Sequence, residues 1–194
     1  EAGVEKVVLL SGRGEKEAQD CEKIILESGL KWTIVRASWF NQNFSESYLL
    51  EPILNGHMAL PTGDIQEPFI DAEDIADVVV AALTQEGHDN TLYEVTGPRL
   101  LSFKEAVAEI ATAIGKPIVY EQLSVQEYAA QLAEYHVPQD YIGLLSYLFS
   151  EILDGRNASI SHGVEEALGR KPKDFSEYVK ETLASGVWNL QEGR

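Results

Sequence analysis

The sequence predicts an α/β fold built on a parallel sheet, with a smaller, mainly helical portion following it. Three observations predict this. The apolar run Val4–Leu10 and the β-rich run Trp32–Val35 flank a segment, Glu15–Ser28, in which Cys21, Ile24, Ile25 and Leu26 supply the apolar positions of a helix. Strand, helix and strand in that order form a right-handed crossover between parallel strands. Beyond residue 100 the chain carries repeated helix-start signals, Ser102 with Glu105 and Ser124 with Glu127, each a serine followed three residues later by a glutamate. Residues 1–100 are therefore read as the sheet domain and 101–194 as the helical subdomain, with segments of the two free to interleave.

Each element has a local cause. Val4–Leu10 ends in Ser11-Gly12-Arg13-Gly14, a loop with two glycines, and Gly29 suits the left-handed residue that closes a helix. Trp32–Val35 is too short for a helix and rich in β-formers. Phe40–Leu54, with Tyr48, Leu49, Leu50 and Ile53, predicts one short amphipathic helix halted at Asn55-Gly56. Pro61-Thr62-Gly63-Asp64 predicts a turn and Phe69-Ile70 a brief extended segment. Asp71 is placed to cap a helix over Ala72–Leu83, whose Ile75, Val78, Val79 and Ala82 form one apolar face. The helix dipole accounts for Asp74 in its first turn. Thr91–Thr96 is a further strand, broken by Gly97-Pro98. The two capping boxes start helices at Phe103–Ile114 and from Ser124 to about Tyr135, with a short strand at Pro117–Glu121 between them. Pro138 opens a helix through Leu153, and helices over Val164–Leu168 and Phe175–Leu183 close the chain.

Composition narrows the function classes. The 194 residues include 15 basic and 32 acidic side chains, and the net charge of -17 repels nucleic-acid phosphate. Arg170-Lys171-Pro172-Lys173, the densest basic cluster, reads as a solvated turn. No nucleic-acid partner is expected. Cys21 stands alone, which rules out an intrachain disulfide, suits a reducing cytoplasm and reads as a buried small residue. No apolar run is long enough to span a bilayer, so no membrane partner is expected. His57, His88, His136 and His162 are scattered, and with one cysteine they form no metal-ligand spacing, so no metal is expected. No nucleophile elbow occurs.

Ligands of open α/β sheets bind outside the carboxyl ends of the strands, so the loop from Ala37 to Asn43 is the first place to look for a site. It carries two aromatics, Trp39 and Phe40, and three amides, Asn41, Gln42 and Asn43. A connector whose Trp39 and Phe40 plug the core is the other reading of the same residues. The turn after the first strand lacks the glycines that cradle a diphosphate: Glu17 stands where the third would be, and Glu15 and Glu17 would repel the ligand.

Four segments, SGLKWTIVRASWFNQNF at 28–44, EPFIDAEDIADVVVAALT at 67–84, TLYEVTGPRLLSFKEAVAEIA at 91–111 and GVEEALGRKPKDFSEYV at 163–179, together span nearly the whole chain. In them the sequence resembles the NmrA-like branch of the atypical short-chain dehydrogenases/reductases, in the group that includes agroclavine dehydrogenase. The resemblance implies the C-terminal part of a Rossmann-type sheet with a substrate-side subdomain, the N-terminal dinucleotide half being absent. It implies NADP or NAD as cofactor and a small organic molecule as substrate. Ser11, Ala37, Ser38 and Trp39 would face the cofactor, and Phe40 and Asn43 the substrate. No catalytic residue is identified, because the family's tyrosine and lysine positions fall on Gly14 and Ala18. An active member would pass hydride directly to an activated acceptor such as an iminium or quinone, and this chain alone would be inactive. The alternative is a non-catalytic NAD(P)-sensing regulator that binds a protein partner. A sheet cut beside Val4–Leu10 would expose a strand edge, giving a homodimer or strand-edge pairing.

Overall fold

The computed structural model describes residues 3–189. From the N-terminus, β1 (Lys6–Gly12) leads through α1 (Lys16–Leu26) to β2 (Lys31–Ala37). Next come α2 (Asn43–Glu46), α3 (Leu50–Leu54), β3 (His57–Leu60), β4 (Gln66–Glu67) and α4 (Ala72–Thr84). They are followed by β5 (Thr91–Val95), β6 (Leu101–Ser102), α5 (Phe103–Ile114), β7 (Val119–Gln122), α6 (Val125–Glu134) and α7 (Gln139–Tyr147). A π-helical turn at Leu148–Ile152, then α8 (Gly163–Leu168) and α9 (Phe175–Ser185), complete the order. The chain forms two compact units. One comprises Glu1–Asn41, Pro68–Leu100 and Ser159–Phe175, and the other Gln42–Glu67, Leu101–Ala158 and Ser176–Arg194.

The first unit contains the parallel sheet that the β-α-β order predicts, with strand order β1-β2-β5. Side chains on one strand alternate between faces, so Val35, Ala37, Tyr93 and Val95 share one side. That side packs against Ile75 and Val78 of α4 and Val164 of α8. Asp71 caps α4 as expected, its carboxylate accepting the Glu73 N–H at 2.9 Å. Gly163 has a packing reason: a Cβ there would collide with the Glu94 carbonyl oxygen, so α8 sits directly on β5. The basic cluster is not a solvated turn alone. Arg170 donates to Asp74 at 2.5 Å and Asp77 at 2.6 Å, and the Lys173 N–H donates to Asp74 at 2.7 Å, which gives the buried Asp74 an ion-pair role beyond the dipole.

The second unit holds a parallel pair, β3 with β7, and an antiparallel pair, β4 with β6. Both expected capping boxes are present, at Ser102 with Glu105 and at Ser124 with Glu127. Its core is a relay of rings: Phe44 to Phe103 at 6.0 Å, Phe103 to Phe149 at 6.0 Å, and Tyr128 edge-on to Phe149 at 5.4 Å. The buried Trp188 donates its Nε1–H to the Phe44 carbonyl at 2.9 Å.

Several local expectations are corrected. The helix expected over Phe40–Leu54 is two short helices, α2 and α3, with Ser47 extended between them. Pro52 explains the break: in a continuous helix it would lack the N–H owed to residue 48 and clash with that carbonyl, whereas it is tolerated in the first turn of α3. The strand β3 was not expected, and the extended segment placed at Phe69-Ile70 is β4 three residues earlier plus a single bridge between Ile70 and Phe40. The helix from Pro138 widens into a π turn at Leu148, where the Leu153 N–H reaches back to the Leu148 carbonyl. Cys21 is exposed. It points away because the inward face of α1 is committed to Glu22, leaving Ile24 and Leu26 exposed as well.

Two glycine substitutions test this packing. Gly163→Ala should lower unfolding stability by about 1–3 kcal/mol, because the collision is with backbone and cannot be relieved by a rotamer change. Gly143→Ala, on an open face of α7, should raise it by about 0.5–1 kcal/mol. Urea titration of both variants reads the opposite signs directly.

Candidate functional site

The carboxyl ends of β1, β2 and β5 lie side by side, with Gly12 opposite Ala37 and Ala37 opposite Val95. The backbone then locks the loop that leaves β2. The Arg13 N–H donates to the Ala37 carbonyl at 3.1 Å and the Ser38 N–H to the Val95 carbonyl at 3.2 Å. The Ser38 hydroxyl donates to the Pro68 carbonyl at 2.6 Å, and that same carbonyl accepts the Gly97 N–H at 3.0 Å. Trp39 and Asn41 exchange backbone bonds with Ile70, at 2.9 and 2.8 Å. Gly97 is required here, since a Cβ would strike the Phe69 carbonyl. The loop is thereby tied to two neighbouring segments before any ligand arrives, which is the preorganisation a binding site needs.

Ser11, Ala37, Ser38, Trp39 and Phe40 all belong to this first unit, whereas Asn43 opens α2 in the second. Ser11 and Ser38 are buried with their hydroxyls engaged by protein, Ser11 donating to Glu22 at 2.6 Å. Ala37 is buried, and Trp39 and Phe40 are half-buried rings. Asn41 stands out. It is fully buried, and neither its side-chain oxygen nor its nitrogen has a hydrogen-bond partner among the described residues. Buried amides without partners are rare and costly, so this one needs a function.

Behind the strand ends, on the face covered by α1, lies a charged network that sequence reading did not assemble. Ser11, Arg36 and Glu94 are register partners across the three strands. Glu22 of α1 receives the Arg36 guanidinium at 2.7 and 2.5 Å in a two-pronged pair, and Arg36 lies 3.5 Å from Glu94. Arg13 adds bonds to the Ser159 carbonyl and hydroxyl at 2.7 and 2.9 Å and lies 3.4 Å from Glu94. The signal available in the sequence was a charge at the end of an apolar strand, twice, at Arg36 and Glu94.

At the β1–α1 turn, the Glu15 side chain folds over Gly12 so closely that a Cβ on Gly12 would meet its carboxylate. Burial, with the charge of Glu17 adding to it, raises the Glu15 carboxyl above its ordinary value. A carboxylate therefore occupies the position from which a helix N-terminus would otherwise hold a diphosphate, and the turn does not fit that group. Among the described residues no group of three metal-ligating side chains occurs, and no helix is long and apolar enough to cross a membrane.

The Glu22–Arg36 pair makes a pH-dependent prediction. The Arg36 guanidinium, aided by the Ser11 hydroxyl, holds the Glu22 carboxyl below its ordinary value despite burial. A carboxyl depressed in the folded state contributes stability above its unfolded pKa of about 4.3 and loses it as pH falls through the folded value. Glu22→Gln should cost about 1–3 kcal/mol at pH 7 by leaving Arg36 with only its longer contact to Glu94. The difference from the parent should shrink below about pH 4, as denaturation midpoints across pH 3–7 would show.

Residues 17–179 match the NmrA-like family. The NAD(P)H azoreductase of Xenophilus azovorans is 31% identical over 172 residues, covering 89% of this chain and 58% of the relative. Agroclavine dehydrogenase of Claviceps fusiformis is 30% identical over 201 residues, covering 98% and 68%. An NADPH-dependent quinone oxidoreductase of Escherichia coli, solved with NADPH, superposes with a TM-score of 0.81 at 22% identity, over 94% of this chain and 67% of that one. The shared fold is the Rossmann-type α/β arrangement. The chain thus spans little more than half of the azoreductase and about two thirds of the other two. With the family match covering most of its length, the chain belongs to the NmrA-like family.

Proposed function

We propose that the chain forms the nicotinamide-side and substrate-side portion of an NAD(P)-dependent oxidoreductase acting on a small organic substrate in the cytoplasm. The observation that carries the reading is Asn41, a buried amide without a partner at the end of a preorganised strand-end loop. Relatives bearing the names azoreductase, agroclavine dehydrogenase and quinone oxidoreductase support it.

The bound dinucleotide would supply a hydride. Residues of this chain would do the placing. Ala37 anchors the loop through its place in the core and its carbonyl, which holds the Arg13 N–H, Trp39 flanks the nicotinamide side, and Asn41 offers its amide N–H groups as donors and its carbonyl oxygen as acceptor. Ser11 and Ser38 act through the geometry they fix, since their hydroxyls are engaged within the protein. Phe40 and Asn43 are assigned to the substrate. The β1–α1 turn receives no part of the cofactor, and the reading assigns the diphosphate to no residue of this chain. Gly14 and Ala18 stand at the positions of the family's tyrosine and lysine, so no proton relay is assigned and the acceptor is one already activated, such as a quinone or iminium. Among the described residues β1 is an edge strand, and that edge is the proposed place for a pairing strand, including one from a second copy.

NADPH and NADH are titrated into this chain and into the product of the complete reading frame that encodes it, followed by turnover with a quinone. The reading expects binding and NAD(P)H oxidation by the complete product and none by this chain alone; a complete product that binds neither nucleotide contradicts it. Asn41→Leu in the complete product should weaken nucleotide or substrate binding at least tenfold. The same substitution should leave the free protein as stable or more so, because it removes an unpaired buried polar group. A purely structural asparagine would lose stability instead.

A further inference from the structure

The second unit, taken by itself, carries a pocket of about 530 Å³, open on the side of the exposed Tyr135 and within the usual size range for small-molecule sites. It is walled by α3 and the residues before it, β3, α6 and α7. Leu49, Leu60 and Leu145 form a buried apolar base, and four tyrosines, Tyr48, Tyr128, Tyr135 and Tyr141, line the rest with smaller groups between them. The Tyr48 hydroxyl is buried and has no hydrogen-bond partner among the described residues. Burial, with the phenols of Tyr128 and Tyr141 nearby, pushes its ionisation well above the ordinary value, so it remains a protonated donor. Tyr128 is held in place by its edge-on contact with Phe149 at an interplanar angle of 89°.

We propose that this cavity binds a flat, neutral organic molecule that presents a carbonyl-type oxygen to the Tyr48 hydroxyl. Flatness follows from the walls, because phenol rings pack best against planar groups. The acceptor follows from Tyr48, since a buried phenol that donates to nothing costs free energy that an incoming oxygen would recover. Neutrality follows from the charges: Glu51 is in the wall, no lysine or arginine among the described residues lines the cavity, and the one imidazole there, His57, already faces the Glu121 carboxylate at 3.0 Å. The inference does not depend on the redox reading, because binding here requires no dinucleotide.

The test titrates 2-acetylnaphthalene into the full 194-residue chain by calorimetry, beside 2-ethylnaphthalene, which lacks the carbonyl, and 2-naphthoate, which is anionic. Saturable one-to-one binding of the ketone is expected, about tenfold tighter than either comparison compound. Tyr48→Phe, nearly isosteric, should weaken the ketone about tenfold and leave 2-ethylnaphthalene unchanged. Leu132→Trp, which fills the cavity from α6, should abolish binding of both. Absence of saturable binding, equal affinity for 2-naphthoate, an unchanged ketone affinity in Tyr48→Phe, or binding retained in Leu132→Trp would each overturn the proposal.

Discussion

The pair between Glu22 and Arg36 is the interaction on which the first unit depends. Arg36 stands where a hydrophobic strand would ordinarily carry another aliphatic residue, and its guanidinium is only partly exposed. Left alone it would demand solvent or a counter-charge. Glu22 answers with a carboxylate almost wholly buried on α1, and in doing so sets the rotation of that helix on the sheet. Ser11 then supplies a hydroxyl to the same carboxylate, and Glu94 and Arg13 extend the chain of charges across all three strands. A two-pronged arginine–carboxylate contact is directional, so it specifies register as well as contributing energy.

That commitment explains both the success and the failure of the sequence reading. The parallel sheet was legible because Val4–Leu10, Trp32–Val35 and Thr91–Thr96 are apolar and β-rich with a helix between the first two. The capped helices were legible because Asp71, Ser102 and Ser124 act within three residues of themselves. The orientation of α1 was not. Its apolar residues Cys21, Ile24 and Leu26 suggested an ordinary buried stripe, yet the buried position belongs to Glu22, and only a partner fourteen residues away accounts for it. Likewise β3 and β7 are each four residues long and exist by pairing across some sixty residues of chain, information that no local window contains.

For the candidate site the sequence names a place to look, and it does not show which atoms there remain available. The rule that ligands meet parallel sheets at strand ends led to Ala37–Asn43. It could not say that the hydroxyls of Ser11 and Ser38 are engaged in holding the scaffold, or that the Asn41 side chain is buried with no hydrogen-bond partner among the described residues. Hydrogen-bond accounting separates residues that hold the loop in place from those with capacity left over. The same accounting, applied to the second unit, finds the Tyr48 hydroxyl buried without a hydrogen-bond partner among the described residues. The β1–α1 turn was legible from its residues alone: it lacks the third glycine of a phosphate loop, and the Glu15 side chain expected to repel a diphosphate folds over Gly12.

The central claim is that a dinucleotide meets this chain at the ends of β2 and β5 and not at the turn after β1. Hydrogen–deuterium exchange on the product of the complete reading frame, with and without NADPH, tests it most directly. The account predicts slowed exchange at residues 38–41 and 96–97, with no change across 12–17. Protection across 12–17, or none at 38–41 when NADPH is bound, would contradict it.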